Sequence, residues 1–231
     1  MKKLITLILG ITLVYSCSSS SDGNSNSTDL NIPGPDVMDI EGNLYQTVIN
    51  CNQTWTKSNL NVSKYRNGDV IPQVTDFQQW KNLTTGAWCY FDNDPANGAI
   101  YGKLYNWYAV NDPRGLAPAG YHIPSVVEWT TLKTCLGGEN VAGGKMKATG
   151  TTLWLSPNTA ATNSSGFTGL PLGRRGGDGG FSSFSRQGIW WSSLEQDAYT
   201  AWDVNLIFDS ASAYTSTLSK KQGCSVRCVK D

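Results

Sequence analysis

One helix in this sequence is marked at both ends, and little else is long enough to match it. Ser125 followed by Glu128 is a capping box, in which the hydroxyl and the carboxylate satisfy free amides of the first turn. Val126, Trp129, Leu132 and Leu136 supply an apolar face, and Gly137-Gly138 supplies a left-handed stop. The helical period recurs in Tyr101, Leu104, Tyr105 and Tyr108, which predicts a second helix over 101–110, closed by Asp112-Pro113. Elsewhere the segments are short. Residues 44–50 and 54–60 read as strands around an Asn52-Gln53 turn, 87–91 as a buried strand and 92–98 as a loop. From Ala142 onward, strands at 189–193, 201–208 and 222–229 alternate with open stretches such as Gly173 to Gly180 (GRRGGDGG). Two helices early and a strand-rich second half predict an α+β fold.

Composition narrows the function. The 231 residues carry 18 basic and 18 acidic side chains, so no net charge favours nucleic acid. Charged residues are 16%, below the roughly 25% of an average soluble domain, while nine Trp and 24 Gly enrich the chain in loop and aromatic material. One His excludes His-rich metal sites and disfavours most acid–base triads. No Gly-x-Ser-x-Gly elbow is present, and the Gly173–Gly180 run lacks the Lys-Ser/Thr of a P-loop. Trp, Tyr, Ser, Gly and Asn are the palette of a binding surface.

The N-terminus reads as an address. Lys2 and Lys3 precede an apolar run over 4–14, too short for the roughly 20 residues that span a bilayer core. It ends at Ser16-Cys17, which resembles a lipoprotein lipobox. The chain therefore divides into a signal peptide (1–16), a Ser/Asn/Gly tether (17–36) with Cys17 as the lipidation site, and one domain (37–231). A coil of this length holds the domain roughly 25 Å from the membrane. The expected location is the outer membrane, at the cell surface or its periplasmic face.

Several separated blocks carry a resemblance. QTVINCNQTWTKSNL, AWCYFDNDPANGAIYGKLYNWYAV, RGLAPAGYHIPSVVEWTTL, GFTGLPLGRRGGDGGF, WWSS and GCSVRCVKD resemble the Fibrobacter succinogenes major paralogous domain, over about 38–231. That family occurs in secreted and lipid-anchored proteins and has no general activity assigned. His122-Ile123-Pro124-Ser125, Glu128-Trp129 and the closing Gly-x-x-Val-Arg-Cys also look like the C-type-lectin-like fold, in its formylglycine-generating-enzyme branch. That resemblance implies two helices packed on small twisted antiparallel sheets, paired terminal strands and long loops carrying the site.

With Cys17 assigned to lipid, five cysteines remain, and export permits disulfides. Cys224 and Cys228 cannot bridge each other along a strand, where four residues span about 13 Å. If the terminal strands pair as the resemblance implies, Cys51 meets Cys224 and Cys228 meets Cys89; an alternative joins Cys228 to Cys135. Five unbridged thiols are the remaining case. The related enzymes hold copper with two cysteines, but no pair here matches theirs.

The ligand-facing candidates are Trp190, Trp191, Trp202 and Tyr214, whose rings suit stacking, with Glu195, Tyr199, Asp203 and Asn205 beside them. Arg174 and Arg175 suit a carboxylate or sulfate. Asp92 and Asp94 space their oxygens like a calcium loop, though one position off the EF-hand pattern; no other cofactor is expected. His122 is expected to be a structural residue satisfied by backbone. Acidic residues at 92, 94, 128, 195, 197, 203 and 209 offer material for a carboxylate pair, but no reaction is expected. The favoured reading is a lipid-anchored binder of an extracellular glycan or protein. Its alternatives are an envelope-assembly subunit, or the variable target protein of a diversity-generating retroelement, with Ser193–Cys224 as the variable stretch.

Overall fold

The computed structural model describes residues 30–231. The signal peptide, Cys17 and the tether up to residue 29 lie outside the described residues. In chain order, β1 (Ile32–Met38), β2 (Leu44–Asn50) and β3 (Gln53–Thr56) are followed by α1 (Phe77–Lys81) and β4 (Trp88–Cys89). Next come α2 (Pro95–Tyr101), β5 (Leu104–Tyr105), α3 (Trp107–Val110) and β6 (Tyr121–His122). A helical pair follows, α4 (Val126–Cys135) and α5 (Glu139–Met146). The rest is β7 (Arg174–Arg175), β8 (Phe181–Ser182), β9 (Gln187–Glu195), β10 (Thr200–Ile207), β11 (Ala213–Ser219) and β12 (Val229–Lys230). A five-stranded sheet in the order β1-β2-β3-β12-β6, a three-stranded sheet β11-β10-β9 and two two-stranded ribbons make the fold α+β, with every named strand pair antiparallel.

The capped helix forms as its ends require. Ser125 accepts from the Glu128 amide, and Glu128 Oε2 accepts from the Ser125 amide at 2.8 Å. The expected helix over 101–110 is instead three pieces. Asn106 accepts from the amides of Ala87 and Ala109 and donates to the Thr85 carbonyl, so it starts a new helix and the residues before it pair with β4. Residues 95–98, expected as loop, open helix α2, because Asp94 caps it with its carboxylate on the Ala96 amide and Pro95 fills the first position. Helix α5 carries Gly143-Gly144, a poor helix signal. Packing overrides it: a Cβ on Gly143 would run into the Ser212 carbonyl, so these residues let α5 lie against the β11 edge.

Residues 32–36, expected in the tether, belong to β1. Pro33 and Pro35 are tolerated because β1 is the sheet edge and needs no second ladder of amides.

Two large apolar clusters lie on either side of β9 and the 223–229 segment. One contains Ile189, Trp191, Cys224, Val226 and Cys228; the other contains Trp190, Val204, Leu206, Phe167 and Val229. Successive strand residues point to opposite faces. With both faces covered, Trp190 and Trp191 are each fully buried. Eight of the nine Trp are buried; Trp202 is half-buried.

Arg227 reaches from this segment into the interior. Its guanidinium donates to Asn59 Oδ1 and to the carbonyls of Thr56, Phe167 and Thr168 at 2.6 to 3.0 Å. Asn59 Oδ1 also receives Trp190 Nε1 at 2.8 Å.

The disulfide pairing differs from both expected arrangements. Cys51, at the β2–β3 turn, bridges Cys135 at the end of α4, with Cα atoms 6.2 Å apart. The C-terminal cysteines have other neighbours: Cys224 pairs its backbone with Tyr105, and Cys228 lies beside Thr56 at the far end of β3 from the turn, in the same apolar cluster as Cys224. Cys89 belongs to a third cluster, with Trp80 and Leu172. Thus Cys51–Cys224, Cys89–Cys228 and Cys228–Cys135 do not form, and Cys89, Cys224 and Cys228 are buried thiols. Burial pushes Cys89 and Cys228 up to about 12, which keeps them protonated and unreactive.

Candidate functional site

The two neighbouring arginines of the β7–β8 ribbon separate by strand alternation. Arg175 turns inward and is a structural residue, contrary to its expected role in ligand contact. Its Nε donates to the Gly179 carbonyl, and its terminal nitrogens donate to the carbonyls of Val74, Thr75 and Asp76. The Trp80 ring lies 4.4 Å from the guanidinium. Four of its five N–H donors are committed to backbone carbonyls, and the residue is buried, so it is not presented to a ligand.

Arg174 faces the other way and is half-buried. Among the described residues its guanidinium has no hydrogen bond and no ion pair. It lines an open cavity of about 330 Å³, together with Asp178, Phe181, Ser182 and Gln222. Asp178 accepts from the Gly180 amide at 3.2 Å, which holds the loop between β7 and β8. Gln222 Oε1 is shielded and has no hydrogen-bond partner.

A polar strip runs along one face of β10 and β11. The register sets Asp203 opposite Ser216 and Asn205 opposite Tyr214, which places each pair on the same face. Ser216 Oγ donates to Asp203 Oδ1 at 2.9 Å, and Asn205 Nδ2 lies 3.1 Å from Ser216 Oγ. Tyr214 is 37% exposed and bonds Ser210 through its hydroxyl. Asp203 itself is buried, so it holds the strip together rather than presenting a carboxylate, a correction to its expected role. Burial raises its pKa, opposed by the hydrogen bonds from Ser216 and Asn205 and by the charge of nearby Arg174. That last influence links the strip electrostatically to the cavity.

The other candidates fall elsewhere. Trp190 and Trp191 are core residues, because both faces of β9 are covered; their indoles donate to Asn59 and to the Tyr105 carbonyl. Glu195 and Tyr199 sit at the β9–β10 tip. Glu195 pairs with Lys220 at 2.8 Å, and Tyr199 is 81% exposed. Trp202, half-buried, pairs with Thr217 in the β10–β11 ladder. The Asp92–Asp94 stretch does not assemble a calcium loop: Asp94 is committed to capping α2, and among the described residues no group of three or more His, Cys, Asp or Glu is placed to hold a metal ion.

His122 is held by carboxylates, not backbone. Nδ1 lies 2.7 Å from Asp231 and Nε2 lies 2.7 Å from Glu128. Burial works against its charge, but these two hydrogen bonds outweigh burial and raise its pKa. Ser182, Ser216 and Gln222 were not singled out by sequence. Ser216 has a signal, since pairing β11 against β10 sets it opposite Asp203; Gln222 has none, because its neighbours come from a distant ribbon.

The family model described as the Fibrobacter succinogenes major domain matches residues 48–230. No curated protein and no solved structure matches the chain.

Proposed function

The chain belongs to the Fibrobacter succinogenes major domain family, and from that premise we propose that it is a lipid-anchored envelope protein whose domain binds an extracellular glycan or protein without transforming it. The observation that carries this reading is the cavity at the β7–β8 ribbon. Arg174, Asp178, Ser182 and Gln222 line it together, and the Arg174 guanidinium makes no hydrogen bond or ion pair among the described residues. Polar groups left unsatisfied at a concave surface are what a binding site needs and what folding alone does not select.

Two further features support the location. The Cys51–Cys135 bridge suits an oxidising compartment. The sequence offers Cys17 as an anchor, and no helix among the described residues is long and apolar enough to cross a membrane. The C-type-lectin-like reading of the fold is supported by β12 lying beside β3, which joins the two ends of the domain in one sheet.

The test is a glycan array combined with a pull-down from the native environment, using the purified full-length protein. Retention of a defined glycan or protein, lost on charge removal at Arg174, is the expected result. Retention of nothing in either format sinks the binding reading and leaves the envelope-assembly alternative.

A further inference from the structure

The lining of the cavity at the β7–β8 ribbon narrows its ligand. It includes Arg174, a half-buried guanidinium without a protein carboxylate within 4.0 Å among the described residues. A planar fork of donors in that state selects a carboxylate or a similar planar anion. Asp178, in the same lining, keeps an exposed carboxylate, of which Oδ1 holds the Gly180 amide. Gln222 lines the same space, with its Oε1 shielded from solvent and without a partner.

These groups ask for one anionic group at Arg174 and a hydroxyl donor at Asp178. Ser182 serves either side, because a hydroxyl both donates and accepts. Gly176, Gly177 and Gly180 line the same space without side chains, so a compact ring can approach the backbone closely. At about 330 Å³ the space is at the lower end of small-molecule sites.

We infer that this cavity binds an acidic sugar residue of the hexuronic acid class, its carboxylate on Arg174 and its hydroxyls on Asp178 and Ser182. The inference rests on the binding reading above and names its ligand class. An acidic peptide fits less well, since Asp178 repels a second carboxylate and an extended chain carries few donors near the first. A general polyanion surface is also disfavoured, because basic and acidic residues balance at 18 each.

The experiment is calorimetric titration of the full-length protein with three probes: a galacturonic acid hexamer, its carboxyl-reduced neutral counterpart and a glutamate hexapeptide. The wild type is expected to bind the acidic sugar, with the neutral sugar at least about tenfold weaker, as befits loss of a charge-assisted hydrogen bond. Arg174→Gln is expected to weaken the acidic sugar by a similar factor and Arg174→Lys by less. Asp178→Asn is expected to weaken the sugar and strengthen the peptide. Lys64→Gln, a distant exposed site, is expected to change nothing. Urea midpoints of each variant confirm that it is folded. Equal binding of acidic and neutral sugars, or tighter binding of the peptide, overturns the hexuronate assignment while the binding reading stands. Binding of none of the three overturns the assignment; if the array and pull-down are also empty, the binding reading falls with it.

Discussion

Arg227 Nε donates to Asn59 Oδ1 at 2.7 Å, joining the last segment of the domain to the chain between β3 and α1. The same oxygen receives the Trp190 indole, so one amide ties three distant parts of the sequence together. No carboxylate takes part. The guanidinium is satisfied by an amide oxygen and backbone carbonyls, deep enough that the residue is fully buried.

Arg227→Met therefore leaves one side-chain oxygen with a single donor and three carbonyls short of theirs, inside the core. The expected cost is about 3–5 kcal/mol. Arg227→Lys keeps the charge but not the fork and is expected to fall between wild type and Arg227→Met. Urea unfolding measures both; a loss under about 1 kcal/mol for Arg227→Met would show the network to be dispensable.

The Cys51–Cys135 bridge spans 84 residues of sequence. Closing a loop of that size constrains the unfolded chain, with a typical measured gain of about 2–4 kcal/mol. Reduction, or Cys51→Ala with Cys135→Ala, is expected to lower stability by that amount. Peptide mapping without reduction is expected to recover the two cysteines in one linked pair. A linked Cys51–Cys224 peptide would contradict the structure.

His122 is the chain's one histidine, so its titration can be followed without overlap. Its folded pKa lies above the ordinary value, so its stabilising contribution is full below about pH 6.5 and is lost as pH rises through the folded pKa. Glu128 moves the other way. Burial raises its pKa, but hydrogen bonds from Ser125 and His122 outweigh that and lower it. Its contribution is full above about pH 4.3 and is lost as pH falls through the lowered value. Both are complete between roughly pH 4.3 and 6.5. Urea midpoints are expected to decline from pH 6 to 8 in wild type and to stay flatter in His122→Gln. Parallel profiles for the two proteins would show that the His122 contacts to Glu128 and Asp231 contribute nothing to stability.

The aromatic residues divide by burial. Trp191→Ala is expected to cost about 3–5 kcal/mol, as for other large core truncations. Tyr199→Ala, at an exposed hairpin tip, is expected to stay within about 0.5 kcal/mol. Thermal or urea unfolding of the two variants separates core from surface directly.

Much of this architecture was legible in the sequence, for local reasons. The capping box and the Gly-Gly stop defined α4, and the alternation of Trp202 to Ile207 defined β10, because each signal lies within one element. What escaped depended on partners far away. Helix α5 has weak propensity and exists through its contact with the turn before β11. The roles of Trp190 and Trp191 depended on whether the second face of β9 was covered, which no alternation within 187–195 reveals. The split between Arg174 and Arg175 follows strand geometry, but which of them faced outward required knowing where Trp80 packs. Cysteine pairing failed for a related reason: the β2–β3 turn points Cys51 toward the helix end and away from the C-terminal segment.

The position of β12 in the five-stranded sheet has a consequence for biosynthesis. Its neighbours are β3, near the start of the domain, and β6, near its middle. The sheet therefore stays open, with an unfilled slot, until residues 229 and 230 have left the ribosome. Pairings this remote in sequence are slow to form. A nascent chain of this design cannot complete its five-stranded sheet before almost all of the domain has been synthesised.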